Sequence, residues 1–202
     1  THPDHVGGVS TYADATGATV WCRRGRVQRF HNLTGVEPDQ TFHEGTMLPV
    51  DESVRILDLP GHAPDHIGIE TEAGILCGDI ARAEGSVAIT SPDGAMRAYF
   101  VTLRRLHARQ PSRLYPGHGE IISHPRETCL RLLMHRQERE SQVLTAIADG
   151  ATSVESILEQ AYDKDITDVR DLARATVRAH LEKLDAEGHI VFNREETEII
   201  DT

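Results

Sequence analysis

Cysteine, aromatic side chains and positive charge are all scarce in this sequence of 202 residues. Its three cysteines, Cys22, Cys77 and Cys129, stand too far apart for a disulfide framework or a paired-cysteine zinc site, which points to a reducing, cytoplasmic compartment. Aromatics make up 4% of the chain, too few for the stacking platforms that hold single-stranded nucleic acid. Lys and Arg number 21 against 32 Asp and Glu, and a net charge of −11 argues against an extended phosphate-binding face. No apolar run approaches the roughly 18–20 residues that a membrane span needs. Thr1 to Gly8, with a Pro, an Asp and two His, does not read as a signal peptide. At 39% apolar and 26% charged, the composition is that of a globular chain, long enough for one large domain or two small ones.

Residues 1–124 read as mixed α and β. The glycine-rich Val6-Gly7-Gly8-Val9 leads to a β-branched run at Ala18-Thr19-Val20-Trp21, and Val54 to Leu59 alternates like a strand before stopping at Pro60-Gly61. Gly68-Ile69-Glu70 and Gly74-Ile75-Leu76-Cys77 flank a turn and predict a hairpin. A loop through Ser91-Pro92-Asp93-Gly94 precedes a helix over about 95–109, and Arg113-Leu114-Tyr115 predicts a short strand ending in Pro116-Gly117.

From residue 125 the pattern turns helical. Leu130, Leu133, Met134, Val143, Leu144 and Ile147 predict an apolar stripe on a long helix that Asp149-Gly150 closes. Thr152-Ser153-Val154-Glu155 fits a capping box opening a second helix. Val169, Leu172, Ala173, Val177, Leu181 and Leu184 mark a third, closed by Gly188, and Ile190 to Ile200 reads as a hairpin around a polar turn. Three helices followed by a hairpin is the order of a winged helix, so the chain divides into 1–124 and 125–202. Residues 126–202 nevertheless hold 10 Lys and Arg against 17 Asp and Glu, and acids interrupt Arg170, Arg174, Arg178 and Lys183 of the third helix. That surface would repel a phosphate backbone, which argues against DNA and for a role covering the first domain or forming a subunit interface, as in a homodimer.

What the chain does have is histidine, at 12 residues, the commonest neutral metal ligand. His2-Pro3-Asp4-His5 precedes Gly7-Gly8, and Pro60-Gly61-His62, Cys77-Gly78-Asp79 and Pro116-Gly117-His118-Gly119 share one form: a histidine or aspartate beside glycine at a strand end. Loops at strand ends aim side chains at a common point, and glycine leaves room for close approach. Imidazole and carboxylate together suit Zn²⁺, with Mn²⁺ or Fe as competitors. His66, four residues after His62, reads either as a pocket-lining proton shuttle or as a structural hydrogen-bonding group, and Asp65 as a turn residue. Arg23, Arg24, Arg26 and Arg29 read as a solvated strand edge, with docking of an acidic substrate as the alternative. Cys77 reads as packing at the end of a buried strand rather than as a ligand.

His2-x-Asp4-His5-x-Gly-Gly, Pro-Gly-His62, Gly-Asp79 and Pro-Gly-His118-Gly, in this order, resemble the motifs of the metallo-β-lactamase-fold hydrolases. The helix carrying His135-Arg136 to Arg139-Glu140, the Leu181-x-x-Leu184 helix, the closing hairpin and Ser91-Pro92-Asp93-Gly94-Ala95-Met96-x-x-Tyr99 resemble the lactamase-β-2-like branch with its C-terminal winged helix. The resemblance implies an α+β chain: an αββα sandwich followed by the winged-helix domain. The family's first motif is His-x-His-x-Asp-His, and Thr1 falls on its first x, so a further ligand histidine and the sandwich's opening strands are expected before Thr1.

The resemblance further implies two divalent metal ions. One would be held by His2, His62 and the preceding histidine, the other by Asp4, His5 and His118, with Asp79 bridging. The nucleophile would be a hydroxide between the ions, which Asp4 could orient. The expected reaction is hydrolysis of a small acyl ester or thioester. Single-stranded RNA cleavage is the alternative within the fold, and a catalytically silent binding module the alternative if the chain truly begins at Thr1.

Overall fold

The computed structural model describes residues 1–50, 53–162 and 166–201. The first region holds helices α1 (Pro3–Val6) and α2 (Val9–Thr16), strand β1 (Trp21–Arg23), helix α3 (Val27–Thr34) and strands β2 (Gln40–Phe42), β3 (Arg55–Asp58), β4 (Ile67–Thr71) and β5 (Gly74–Gly78). Helix α4 (Met96–Arg109) and strand β6 (Leu114–Pro116) complete it. Strands β3, β4, β5 and β6 form one sheet in that order, antiparallel up to β5 and parallel between β5 and β6. Strands β1 and β2 pair in parallel as a separate ribbon.

One face of the four-stranded sheet is dry. Ile75 and Cys77 of β5 point into it, while Leu76 between them faces the other way and is exposed, as the two-residue period of a strand requires. Helix α4 covers that face with Met96, Tyr99, Phe100, Leu103 and Leu106, spaced three and four apart along one side. Burying each such side chain contributes about 1.5–3 kcal/mol before entropy is counted. The helix ends at Gln110, whose backbone turns left-handed just before Pro111. On the other face, Ile67 and Ile69 border a cavity of about 360 Å³ with Trp21, Cys22 and Phe42 of the ribbon.

Helix α5 (Pro125–Ala148) belongs to two cores. Pro125 opens it, where a missing N–H costs nothing. Its first half sends Cys129, Leu132 and Leu133 into the core under the sheet, and its second half sends Val143, Ala146 and Ile147 into another. Between them the buried Arg136 donates to the Val87 carbonyl. The second core is closed by α6 (Val154–Ala161), α7 (Arg170–Ala186) and the antiparallel pair β7 (Val191–Asn193) and β8 (Glu198–Asp201). No helix among the described residues is long and apolar enough to cross a membrane.

Several expectations need correction. The strand expected at 18–21 is β1, three residues later, and the helices α2 and α3 and the strand β2 were not expected at all. Leu130, Met134 and Leu144 of the expected stripe are exposed, as are Val169 and Leu172. The second helix is capped by Ser153, whose hydroxyl accepts from the Ser156 N–H, rather than by Thr152 paired with Glu155.

Candidate metal centre

Four loops converge at the ends of the strands. The first is α1 itself, which Pro3 starts immediately after His2, so that Asp4 and His5 project from one turn. His62 follows β3 through Gly61, at φ +142, where a Cβ would lie 2.5 Å from the Tyr99 backbone. Only glycine lets this loop lie on α4. Asp79 follows β5 and His118 follows β6. These two loops are tied by the Gly117 N–H, which donates to the Gly78 carbonyl at 3.0 Å.

The Asp79 carboxylate is the hub. Its Oδ2 lies 2.9 Å from His5 Nε2 and 3.6 Å from both His62 Nε2 and His118 Nε2. His118 Nε2 lies 3.1 Å from Asp4 Oδ2. Asp4, His5, Asp79 and His118 each offer one ligand atom, and these atoms all fall within 4.8 Å of one another. The second cluster is smaller. His62 Nε2 stands 3.1 Å from His2 Nδ1, with the rings edge-on at 4.7 Å, while His2 Nε2 lies 3.5 Å from Asp93. The structure thus gathers Asp4, His5, His62 and His118 around the Asp79 carboxylate, with His2 set against His62.

The donor set fits divalent metal. Neither Asp4 nor Asp79 has a Lys or Arg ion-pair partner among the described residues; both face imidazoles only. His62 Nδ1 donates to the Ala88 carbonyl at 2.7 Å, which leaves the Nε2 lone pair free toward the site. Burial holds His62 below the ordinary imidazole range, against the opposing pull of that carbonyl, so the ring is neutral and able to ligate near pH 7. At Asp4 slight desolvation works upward, but the residue's own backbone N–H together with His5 and His118 outweigh it and keep the carboxyl low. Gly117 leaves space that a side chain would take: a Cβ there would sit 2.6 Å from Asp79 Oδ1 and 2.8 Å from the His5 ring.

His66 is placed behind this set. Its Nε2 accepts the Asp79 backbone N–H at 2.9 Å, and burial pushes the ring down to about 3, with His62 adding to the shift. Of its two readings, this geometry matches the hydrogen-bonding one: a neutral ring that fixes the loop carrying Asp79. Cys77 is fully buried and burial pushes its thiol up to about 12, away from the thiolate a metal would need.

Two readings are corrected here. Asp65 is more than a turn residue: it is buried and accepts from the Thr1 hydroxyl, with Arg29 Nε at 3.5 Å. Of the four arginines read as a solvated strand edge, Arg23 and Arg29 are not solvated but paired, while Arg24 is exposed. Arg23 forks onto Asp58 at 2.6 and 3.0 Å, and Arg29, on helix α3, forks onto Asp93 at the same two distances. Asp93, beside His2, was missed as a site residue. Its only signal was its place in the Ser91-Pro92-Asp93-Gly94 loop.

A profile of the Metallo-beta-lactamase superfamily matches residues 1–118. The chain is similar to a Beta-lactamase-like protein 2 homolog of Drosophila melanogaster, 26% identical over 200 residues, with 94% of this chain and 67% of that protein covered. It is also similar to an atrochrysone carboxyl ACP thioesterase of Emericella nidulans, 28% identical over 153 residues, covering 72% of this chain and 45% of that protein. A solved Beta-lactamase domain protein from Burkholderia ambifaria shares the fold at a TM-score of 0.77 and 19% identity, over 98% of this chain and 70% of that one. The chain therefore spans about half to two thirds of the length of these curated relatives.

Proposed function

The chain belongs to the metallo-beta-lactamase superfamily, and on that footing we propose that it is a dinuclear metal-dependent hydrolase of small acyl esters or thioesters. The observation that carries this reading is the cluster of Asp4, His5, Asp79 and His118, whose ligand atoms fall within 4.8 Å, with no Lys or Arg paired to either acid among the described residues. These residues would hold one ion and share Asp79 with a second, next to His62 and His2. Zn²⁺ suits the nitrogen-rich set, with Mn²⁺ or Fe as alternatives. Bound there, such ions would bring the pKa of a water to about 7 and polarise a carbonyl oxygen.

The chain's own residues do the rest. Asp79 supplies negative charge between two groups of imidazoles. Asp4, at the exposed rim, would accept a hydrogen bond from the attacking water and align it. His66 keeps Asp79 in place through the backbone. The cavity of about 360 Å³ beside His2 and His62 has apolar walls in Trp21, Phe30, Phe42, Ile67 and Ile69, which favours an acyl chain over a nucleotide. The name of the Emericella relative supports a thioester.

Residues 125–202 are read as a winged-helix domain with a packing role rather than a DNA-reading one. In support, Arg170 and Arg174 are spent on Glu155, and Arg178 on Glu182. A cytoplasmic location is read from three buried, unpaired cysteines.

The test is metal content by elemental mass spectrometry, followed by a thioester panel with thiol detection and a fluorescent RNA oligomer, each with and without chelator. About two ions per chain with chelator-sensitive thiol release supports the reading. Chelator-sensitive RNA cleavage without thiol release transfers it to a nuclease, and less than one ion per chain with neither activity overturns it.

A further inference from the structure

Three neighbouring arginines next to the metal centre have different fates. Arg23 and Arg29 are each forked onto a carboxylate, Asp58 and Asp93. Arg26, the residue that starts α3, has no side-chain hydrogen-bond or ion-pair partner among the described residues. Its backbone is fully used, with the N–H donating to the Arg23 carbonyl and the carbonyl accepting from Phe30, so the side chain's base is fixed. Arg26 borders two cavities at once, the apolar one of about 360 Å³ and a second of about 550 Å³, and both also touch Thr1 and His2.

Arg26 and the candidate ligand His2 thus border the same two cavities, in a chain of net charge −11. The overall field repels anions, so an anionic substrate would need a local cation to enter. Arg29 cannot serve, because Asp93 occupies its fork. Arg24 is exposed and borders neither cavity. A free guanidinium presents paired N–H donors that match the two oxygens of a carboxylate or phosphate.

We propose that Arg26 anchors an anionic group of the substrate, so that the acyl compound processed at this centre carries a carboxylate or phosphate away from its scissile bond. This rests on the hydrolase reading for the word substrate, but the anion site itself does not. In the bound arrangement the anion pairs with Arg26, the aliphatic part lies along Phe30 and Phe42, and the carbonyl faces His2 and His62. Arg26 forms no covalent bond; its role is binding and selection.

The experiment compares wild type, Arg26→Gln and Arg26→Lys, all metal-loaded, on three thioesters: butyryl-N-acetylcysteamine, glutaryl-N-acetylcysteamine and butyryl-phosphopantetheine. They are respectively neutral, anionic on the acyl side and anionic on the thiol side. Wild type is expected to prefer one or both anionic substrates. Arg26→Gln lowers that preference about 10- to 100-fold through KM, the loss expected for one charge-assisted contact. Arg26→Lys, with the charge but not the fork, falls between. Which anionic substrate responds identifies the carboxylate or phosphate source. A preference unchanged in Arg26→Gln overturns the proposal, as does equal loss on all three substrates.

Titration calorimetry with glutarate and with inorganic phosphate runs in parallel. If no thioester is hydrolysed, the hydrolase reading fails, while weaker binding of either anion by Arg26→Gln still supports the anion site. Equal binding by wild type and variant refutes it.

Discussion

Carboxylates are treated in opposite ways at the two ends of this chain. Near the C-terminus Glu140 accepts from Lys183 Nζ at 2.7 Å and from the buried His180 at 3.1 Å, and Glu155 is shared by Arg170 and Arg174. In the candidate metal centre Asp4 and Asp79 stand among imidazoles with no Lys or Arg ion-pair partner among the described residues. The first arrangement neutralises charge within the fold and closes a core. The second leaves carboxylates facing imidazoles alone, at a cost in stability that a bound cation would offset. Clusters of titratable groups held by one another in this way are enriched at functional sites.

The largest effect should come from the hub. Asp79→Asn keeps the side chain's size and removes the shared charge, so hydrolysis of the best thioester should fall at least ~1000-fold, about 4 kcal/mol of transition-state stabilisation. Steady-state kinetics with metal in excess checks this, and a fall under tenfold would mean the centre is not organised around Asp79.

Next is metal removal. If the unpaired acids await a cation, metal at 100 to 1000 times its Kd should stabilise the chain by about 3–4 kcal/mol, seen as a Tm that drops on chelation. A variant lacking Glu140 should show the same drop, because its acid is paired within the protein. Equal Tm with and without chelator would erase the contrast.

Gly117→Ala sharpens the comparison within the site. Its methyl group would press on Asp79 and His5 and should weaken metal binding about 10- to 100-fold. Competition with a chromophoric chelator measures that, and the metal-free Tm is expected to stay close to wild type.

The smallest effect is Glu140→Gln, about 1–3 kcal/mol of stability by chemical denaturation, with thioester turnover retained. Burial raises the Glu140 carboxyl, but hydrogen bonds from His180 and Lys183 outweigh it and leave it below its ordinary value. A depressed carboxylate adds stability above its unfolded pKa and loses it as the pH falls through the folded one. Wild type should therefore lose stability faster than Glu140→Gln as the medium is acidified below about pH 4.5. Parallel curves would show that Glu140 is not held by its partners.

The parts of the fold that were legible have local causes. The hairpin of β4 and β5 and the helix α4 are written in alternation and in three- and four-residue spacing. Helices α2 and α3 were not, because their N-caps, Gly8 and Arg26, provide no side-chain capping bond and each helix is only eight residues long. Left-handed Gly17 and Gly35 behind them were the available signals. The stripe on α5 misled because that helix changes partners midway: Leu132 and Arg136 are buried where Leu130 and Met134 were expected.

The metal-centre candidates were legible for a similar reason. Glycine beside histidine or aspartate at a strand end is a short-range pattern, and a close approach of backbone demands it. Sequence alone therefore determined the residue types, their order, the strands that end in them and the imbalance of charge. Only the tertiary structure decided that Asp79 is the hub, that His66 bonds to its backbone, that Arg29 is spent on Asp93 and that Arg26 is left free. Those outcomes depend on side chains far apart in sequence meeting across a sheet and a helix, and no local periodicity encodes which acid a given arginine will reach.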